Sequence, residues 1–163
     1  MKSVASNSDN WHQRFPMGEH IPIEKKHLKL DVFDPEGMKH PFLAGLAMGL
    51  LFQIHDATGS ELFIPEIYSC GISIKDKHRL DNTHTDYDKW INGKRCPYVK
   101  ILGILNSDWE EEWGGGFIHN GTNYYIKPTS FCIFDGSEPH SAAEIFTDNK
   151  RFAIDFIVKK NKI

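Results

Sequence analysis

Within the 163 residues, the triplet His84-Thr85-Asp86 sets an imidazole and a carboxylate two residues apart. On an extended strand, positions i and i+2 point to the same side, so a ring nitrogen and a carboxylate oxygen can reach one metal ion. In a chain with nine histidines such a triplet alone is a weak signal, and a surface loop with a polar pair competes with it. His140 strengthens it. It closes the run Phe134-Asp135-Gly136-Ser137-Glu138-Pro139-His140, directly after a predicted strand and turn. Two histidines and a carboxylate on one face of an ion suit a ferrous site that keeps open positions for small molecules. Zinc uses three such ligands plus water, so composition leaves both metals open. Further on, Arg151 opens the segment Arg151-Phe152-Ala153-Ile154-Asp155-Phe156-Ile157-Val158. Its alternation puts Phe152, Ile154, Phe156 and Val158 on one face and Arg151, Ala153 and Asp155 on the other. An arginine facing an interior beside a small alanine needs an anion, because a lone buried charge is costly. The carboxylate of a bound small acid suits its planar fork; an exposed edge-strand arginine is the competing reading.

These groups need rigid elements to hold them. Leu43, Leu46, Ala47, Leu50, Leu51 and Ile54 recur at helical spacing and predict an amphipathic helix over 41–55. Asp56-Ala57-Thr58-Gly59-Ser60 ends it. From residue 61 onward the pattern changes to strands, predicted at 64–74, 98–105, 124–126 leading on to 131–134, and 151–158. Turn chemistry separates them at Asn92-Gly93, Gly114-Gly115-Gly116, Asn120-Gly121, Pro128, Asp135-Gly136 and Asp148-Asn149. Residues 1 to 38 are polar, carry Pro16, Pro22 and Pro35, and read as an irregular arm with at most a short strand or two. The expectation is one domain over 1–163 with its β core at 61–158: a mainly β antiparallel sandwich or small barrel, with the helix flanking it.

Composition removes several classes of function. Lys and Arg number 19 against 22 Asp and Glu, a net charge of −3, so no basic surface for nucleic acid is expected. The longest apolar stretch, 41–54, is interrupted by Gly45 and Gly49 and falls short of a membrane span. No apolar signal core occupies the first ten residues. Three cysteines, Cys70, Cys96 and Cys132, are an odd number without a CxxC pair. They read as small core residues in a reducing, cytoplasmic compartment.

Taken together, a longer series of motifs resembles one family. His84-Thr85-Asp86, Val99-Lys100-Ile101-Leu102-Gly103-Ile104-Leu105-Asn106-Ser107-Asp108-Trp109, Trp113-Gly114-Gly115-Gly116-Phe117, Ile126-Lys127-Pro128, Phe134, Pro139-His140 and Arg151-Phe152-Ala153-Ile154 are similar in order and spacing to the 2-oxoglutarate/Fe(II)-dependent oxygenases of the prolyl 4-hydroxylase type. The oxygen-sensing prolyl hydroxylases are the nearest in pattern, over residues 68 to 158. The resemblance implies a double-stranded β-helix (jelly-roll) barrel, with Fe(II) held by His84, Asp86 and His140. It implies 2-oxoglutarate chelating the iron, its distal carboxylate on Arg151, O2 as second co-substrate and ascorbate as reductant. Lys150 competes with Arg151, since collagen-type members use a lysine there; the Arg-aromatic-Ala-Ile run favours Arg151. Leu102, Ala153 and Tyr98 are assigned to the co-substrate pocket. Related halogenases lack the carboxylate that Asp86 supplies, so hydroxylation is the implied reaction.

The departures from that pattern are specific. Ile104 stands where the oxygen sensors place a tyrosine before Leu-Asn. Ile72, Ser73 or Ile74 stands where a second tyrosine precedes the metal motif, with Tyr68 or Tyr98 as replacements. Lys100 falls where the inward face of its strand begins and is a candidate second cation or substrate contact. The loop at 87–97 differs as well, so substrate preference is the property carried over least. Three readings follow: hydroxylation of a proline in a protein or peptide, the same chemistry on a free amino acid or other small metabolite, or a non-catalytic cupin-like metal-binding module. The third fits less well, because cupin sites present His-x-His with a later Glu. No nucleic-acid or membrane partner is expected. Trp109-Glu110-Glu111-Glu112-Trp113 reads as a solvated loop with core tryptophans or as a lid attracting a basic substrate. His55, His78 and His119 read as bystanders.

Overall fold

The computed structural model describes residues 1, 2, 11–13, 27–59, 61–79 and 81–161. In chain order its strands and helix are β1 (His12–Gln13), β2 (His27–Asp34), β3 (Gly37–Met38), α1 (Pro41–Ala57), β4 (Phe63–Lys75), β5 (Trp90–Ile91), β6 (Lys94–Arg95), β7 (Tyr98–Ile104), β8 (Phe117–His119), β9 (Thr122–Tyr124), β10 (Phe131–Phe134), β11 (His140–Ala142) and β12 (Arg151–Lys160).

Helix α1 starts with Pro41 in its first turn, where no intrahelical N–H is required. The His40 ring caps it by accepting from the Leu43 N–H at 3.4 Å. It buries Leu43, Ala44, Ala47, Leu51 and Ile54. The expected stripe is therefore rotated slightly: Ala44 is inside, while Leu46 is exposed.

The large sheet is antiparallel in the order β1-β2-β4-β12-β7-β10, with β3 on β2. Alternation sorts its two faces. Leu30, Val32, Cys70, Ile72, Val99, Ile101, Ile154, Phe156 and Val158 pack with Leu43, Ala47, Leu51 and Ile54 of the helix into one apolar cluster. On the opposite face Ile104 and Phe134 meet Phe117, Ile126, Ile145 and Trp109 in a second cluster. That cluster fills the space against the smaller sheet, ordered β11-β8-β9. Two facing antiparallel sheets with the helix outside make the jelly roll expected from the sequence. Residues 81–84 extend the smaller sheet along β11: the Asp81 N–H donates to the Ala142 carbonyl at 3.2 Å, and His84 and His140 exchange backbone bonds of 2.9 and 3.0 Å.

Two expectations need correction. The arm over 1–38 contains an eight-residue strand, β2, with Leu30 and Val32 fully buried; residues 3–10 and 14–26 of that arm lie outside the described residues. The strand expected over 124–126 stops at Tyr124. The Tyr125 hydroxyl donates to the Trp109 carbonyl at 2.5 Å, and Ile126 turns into the second core. Strands β8 and β11, three residues each, were too short to register as periodic segments. Among the described residues no helix is long and apolar enough to cross a membrane.

Candidate active site

The paired backbones of His84 and His140 bring their rings to 4.6 Å between centroids. Asp86 joins them because its N–H donates to the Gly136 carbonyl at 2.8 Å. One ligand atom from each of His84, Asp86 and His140 lies within 4.8 Å of the other two. Both histidines have their tautomer set by a backbone carbonyl. Nδ1 of His84 lies 2.8 Å from the Asn82 oxygen, and Nδ1 of His140 lies 2.8 Å from the Glu138 oxygen. A carbonyl can only accept, so each Nδ1 carries the proton and each Nε2 presents a lone pair.

His140 Nε2 is buried without a hydrogen bond, 3.1 Å from Asp86 Oδ2. Two acceptors facing each other at that separation require a proton or a cation between them. Burial lowers the His84 imidazole below its ordinary value, outweighing the Asn82 hydrogen bond, and this favours the neutral, ligating form. Burial alone would raise the Asp86 carboxyl. The His140 ring and the Lys100 ammonium outweigh it and hold the group well below the usual carboxylate range. The donor set thus fits a divalent cation.

Arg151 is the first residue of β12 and is 2% exposed. Its Nε and Nη2 have no hydrogen-bond partner among the described residues. Burial pulls the guanidinium down to about 10, against the opposing charge of Asp81, so it remains protonated at neutral pH. Lys150, the competing cation, is exposed. Gly115 explains how the long side chain fits. With φ at +70°, a Cβ there would stand 3.0 Å from Arg151 Cδ and 3.1 Å from Ile145 Cγ1, so a side chain there would crowd the arginine as well as strain the backbone. Asn106, buried in the loop after β7, clamps the backbone on both sides of Arg151. Its Nδ2 donates to the Lys150 carbonyl at 3.0 Å, and its Oδ1 accepts the Phe152 N–H at 2.7 Å.

One cavity runs from His84 and His140 to Arg151, and Leu102 and Ala153 line it. Tyr98 does not. It is the first residue of β7, with its ring packed on Tyr68, 4.6 Å between centroids, and pairs with Lys159 at the opposite end of the strand from Ile104, the residue that pairs with Ala153 on the Arg151 side. Lys100 and Asp155 also line the cavity, with Lys100 Nζ 2.7 Å from Asp86 Oδ2. Sequence reasoning missed Asn106, Lys75 and Asp81. The signal for Lys75 was the alternation of β4, in which Ser73 and Lys75 share the cavity side.

Other groups have ordinary surroundings. His119 and His78 lie 3.1 and 2.8 Å from Glu138 and Glu144, and His55 stands edge-on to Phe63. Trp109 is buried with its indole N–H on the Gly114 carbonyl at 3.0 Å. Burial raises the thiols of Cys70, Cys96 and Cys132, the last to about 11, as befits packed rather than reactive sulfur.

Compared by sequence, the chain matches no protein-family model and no curated protein. Solved structures share its fold. An oxidoreductase of the 2OG-Fe(II) oxygenase family from Burkholderia pseudomallei superposes with a TM-score of 0.63 at 13% identity, over 97% of this chain and 76% of that one. HygX from Streptomyces hygroscopicus, solved with nickel and 2-oxoglutarate bound, gives 0.60 at 14%, over 97% and 77%. A prolyl-4-hydroxylase from Pseudomonas putida gives 0.58 at 16%, over 99% and 83%. At these identities the likeness establishes a common fold.

Proposed function

We propose that the chain is an Fe(II)- and 2-oxoglutarate-dependent oxygenase that hydroxylates an unactivated carbon. The observation that carries this reading is a His-Asp-His ligand cluster whose two histidines line one cavity together with a buried arginine, the Nε and Nη2 of which have no partner among the described residues. His84, Asp86 and His140 would hold the metal, and Arg151 would bind the far carboxylate of the co-substrate. When bound, ferrous iron and 2-oxoglutarate supply the oxidising chemistry: O2 is consumed, 2-oxoglutarate leaves as succinate and CO2, and one oxygen atom enters a substrate C–H bond.

The protein's own part is preorganisation. The Asn82 and Glu138 carbonyls hold both imidazoles with Nε2 forward. Leu102 and Ala153 offer an apolar wall between the metal ligands and the arginine. Phe117 and Phe134 pack near the His140 ring, at 6.0 and 4.9 Å between centroids, and keep water from that side.

For the substrate, proline in a protein or peptide is our reading. It rests on the likeness of motif order to the prolyl 4-hydroxylase type and on the fold shared with the Pseudomonas putida enzyme. Purified protein incubated with Fe(II), ascorbate and 2-oxoglutarate should form succinate, and His84→Ala should abolish it; succinate formation unchanged in that variant would refute the metal assignment. Mass spectrometry then separates the substrate classes. A 16 Da gain on proline-containing peptides supports this reading, whereas a gain on free amino acids alone replaces it with small-metabolite hydroxylation.

A further inference from the structure

Three basic side chains are buried at the Arg151 end of the cavity: Lys75 at 8% exposure, Arg79 at 2% and Arg151 at 2%. Among the described residues one carboxylate, Asp81, stands within ion-pair distance of this group. Its two oxygens are divided. Oδ1 accepts from Arg79 Nε at 3.2 Å and Nη2 at 3.1 Å, and Oδ2 accepts from the Lys75 ammonium. Arg151 is left with two unpartnered nitrogens. The cluster therefore carries more positive than negative charge in a place where unpaired charge is strongly disfavoured.

Lys75 and Arg151 are direct partners in the β4–β12 register, and both line the cavity together with Asp81. Opposed residues on one face of an antiparallel pair have their Cβ atoms about 5 Å apart. Their two cationic heads can therefore address the same small anion. An ammonium has three protons; Asp81 takes one direction, which leaves others for a ligand.

We infer that Lys75 is a second cationic anchor for the terminal carboxylate of the dicarboxylate co-substrate, shared with Arg151 and oriented by Asp81. This rests on reading the cavity as a 2-oxoglutarate site. Arg151 supplies a planar fork and Lys75 a point charge, so the pair together discriminates for a second carboxylate on the ligand. A hydroxyl at the same place would donate a hydrogen bond without adding charge. The arrangement also accounts for the excess of buried cations, which one incoming carboxylate reduces.

The test is anaerobic calorimetric titration of Fe(II)-loaded protein with 2-oxoglutarate and, separately, with pyruvate, which keeps the 2-oxo acid end and lacks the second carboxylate. Lys75→Met should weaken 2-oxoglutarate binding on the order of tenfold to a hundredfold and leave pyruvate binding as in the unaltered protein. Lys75→Arg should restore most of the loss, which also shows that the position tolerates substitution. Equal weakening for both ligands, or none for either, overturns the inference. Failure of the unaltered protein to bind 2-oxoglutarate at all overturns the co-substrate reading and this inference with it.

Discussion

Lys100 Nζ lies 2.7 Å from Asp86 Oδ2 and 4.0 Å from Asp155 Oδ1, so one oxygen of the metal-motif carboxylate is already engaged by a lysine on the neighbouring sheet. The same oxygen lies 3.1 Å from His140 Nε2, while Oδ1 is 3.9 Å from His84 Nε2. One carboxylate thus stands between both imidazoles and a neutralising ammonium. The arrangement also places a cation beside the ligand set, where Lys100 and Asp155 form the cavity wall.

Replacing Lys100 should be felt as a loss of pH-dependent stability. Burial raises Asp86, and His140 and Lys100 reverse the shift, so its folded value lies below the ordinary one, about 4 in an unfolded chain. A depressed carboxylate contributes stability that is complete above the unfolded value and is lost as pH falls through the folded one. Lys100→Met raises the folded value back toward the unfolded one. Urea denaturation of metal-free protein should show the variant less stable by about 1–3 kcal/mol at neutral pH, with the gap starting to narrow only below about pH 4 and shrinking further as pH falls toward the folded value. A gap that stays constant across that range would show that Lys100 acts through packing alone.

Asn106 should matter to stability and to co-substrate binding together. Its side chain bonds the backbone on both sides of Arg151, in a buried setting where an orphaned carbonyl or N–H costs about 1–3 kcal/mol. Asn106→Ala removes both bonds and should cost about 2–5 kcal/mol in denaturant unfolding. Because the loosened segment carries Arg151, 2-oxoglutarate affinity should fall while metal affinity, set by His84, Asp86 and His140, holds. Loss of metal binding in a folded Asn106→Ala protein would contradict this division.

Gly115→Ala isolates the space that Arg151 occupies. The new Cβ would press on Arg151 Cδ and Ile145 Cγ1 at a φ of +70°, and the backbone conformation alone costs about 1 kcal/mol or more for a residue with a side chain. We expect a lower melting temperature and weaker 2-oxoglutarate binding. Gly121→Ala, also at positive φ but with nothing within 4 Å of its Cβ, should lower the melting temperature without touching co-substrate affinity.

Much of this architecture was legible in the sequence because periodicity reports burial directly. In β12 the alternation of Phe152, Ile154, Phe156 and Val158 with Arg151, Ala153 and Asp155 put the apolar set into the core and the other set on the cavity. Strand β2 hid from the same logic. Leu28, Leu30 and Val32 alternate with Lys29 and Asp31, but the charged face lines the cavity or its rim, with Lys29 paired to Asp31 at 3.1 Å, and so resembled a solvated arm. The Asp81 cluster was not legible, because its pairing depends on where the turn after β4 returns beside β11. The place of Tyr98 was not legible for a similar reason: its residue type suited the co-substrate, but β7 carries it to the end of the strand away from Ile104 and Ala153, outside the cavity lining.

Arg151 separates stability from function most sharply. Its guanidinium is lowered by burial to about 10, and a shift of that size represents on the order of 3 kcal/mol disfavouring the charged folded form. For a cation with a depressed folded value, the penalty is fully present below that value and is relieved as pH rises toward the unfolded one. Arg151→Met, of comparable reach and without charge, should therefore leave the ligand-free protein at least as stable at neutral pH, and more stable by up to about 3 kcal/mol. The order should reverse on adding co-substrate. At a hundredfold excess over its dissociation constant, 2-oxoglutarate stabilises the unaltered protein by about 2.7 kcal/mol through mass action and should do nothing for the variant. A ligand-free Arg151→Met protein less stable than its parent would mean that the guanidinium is already satisfied within the fold, and the anion site would have to be sought elsewhere.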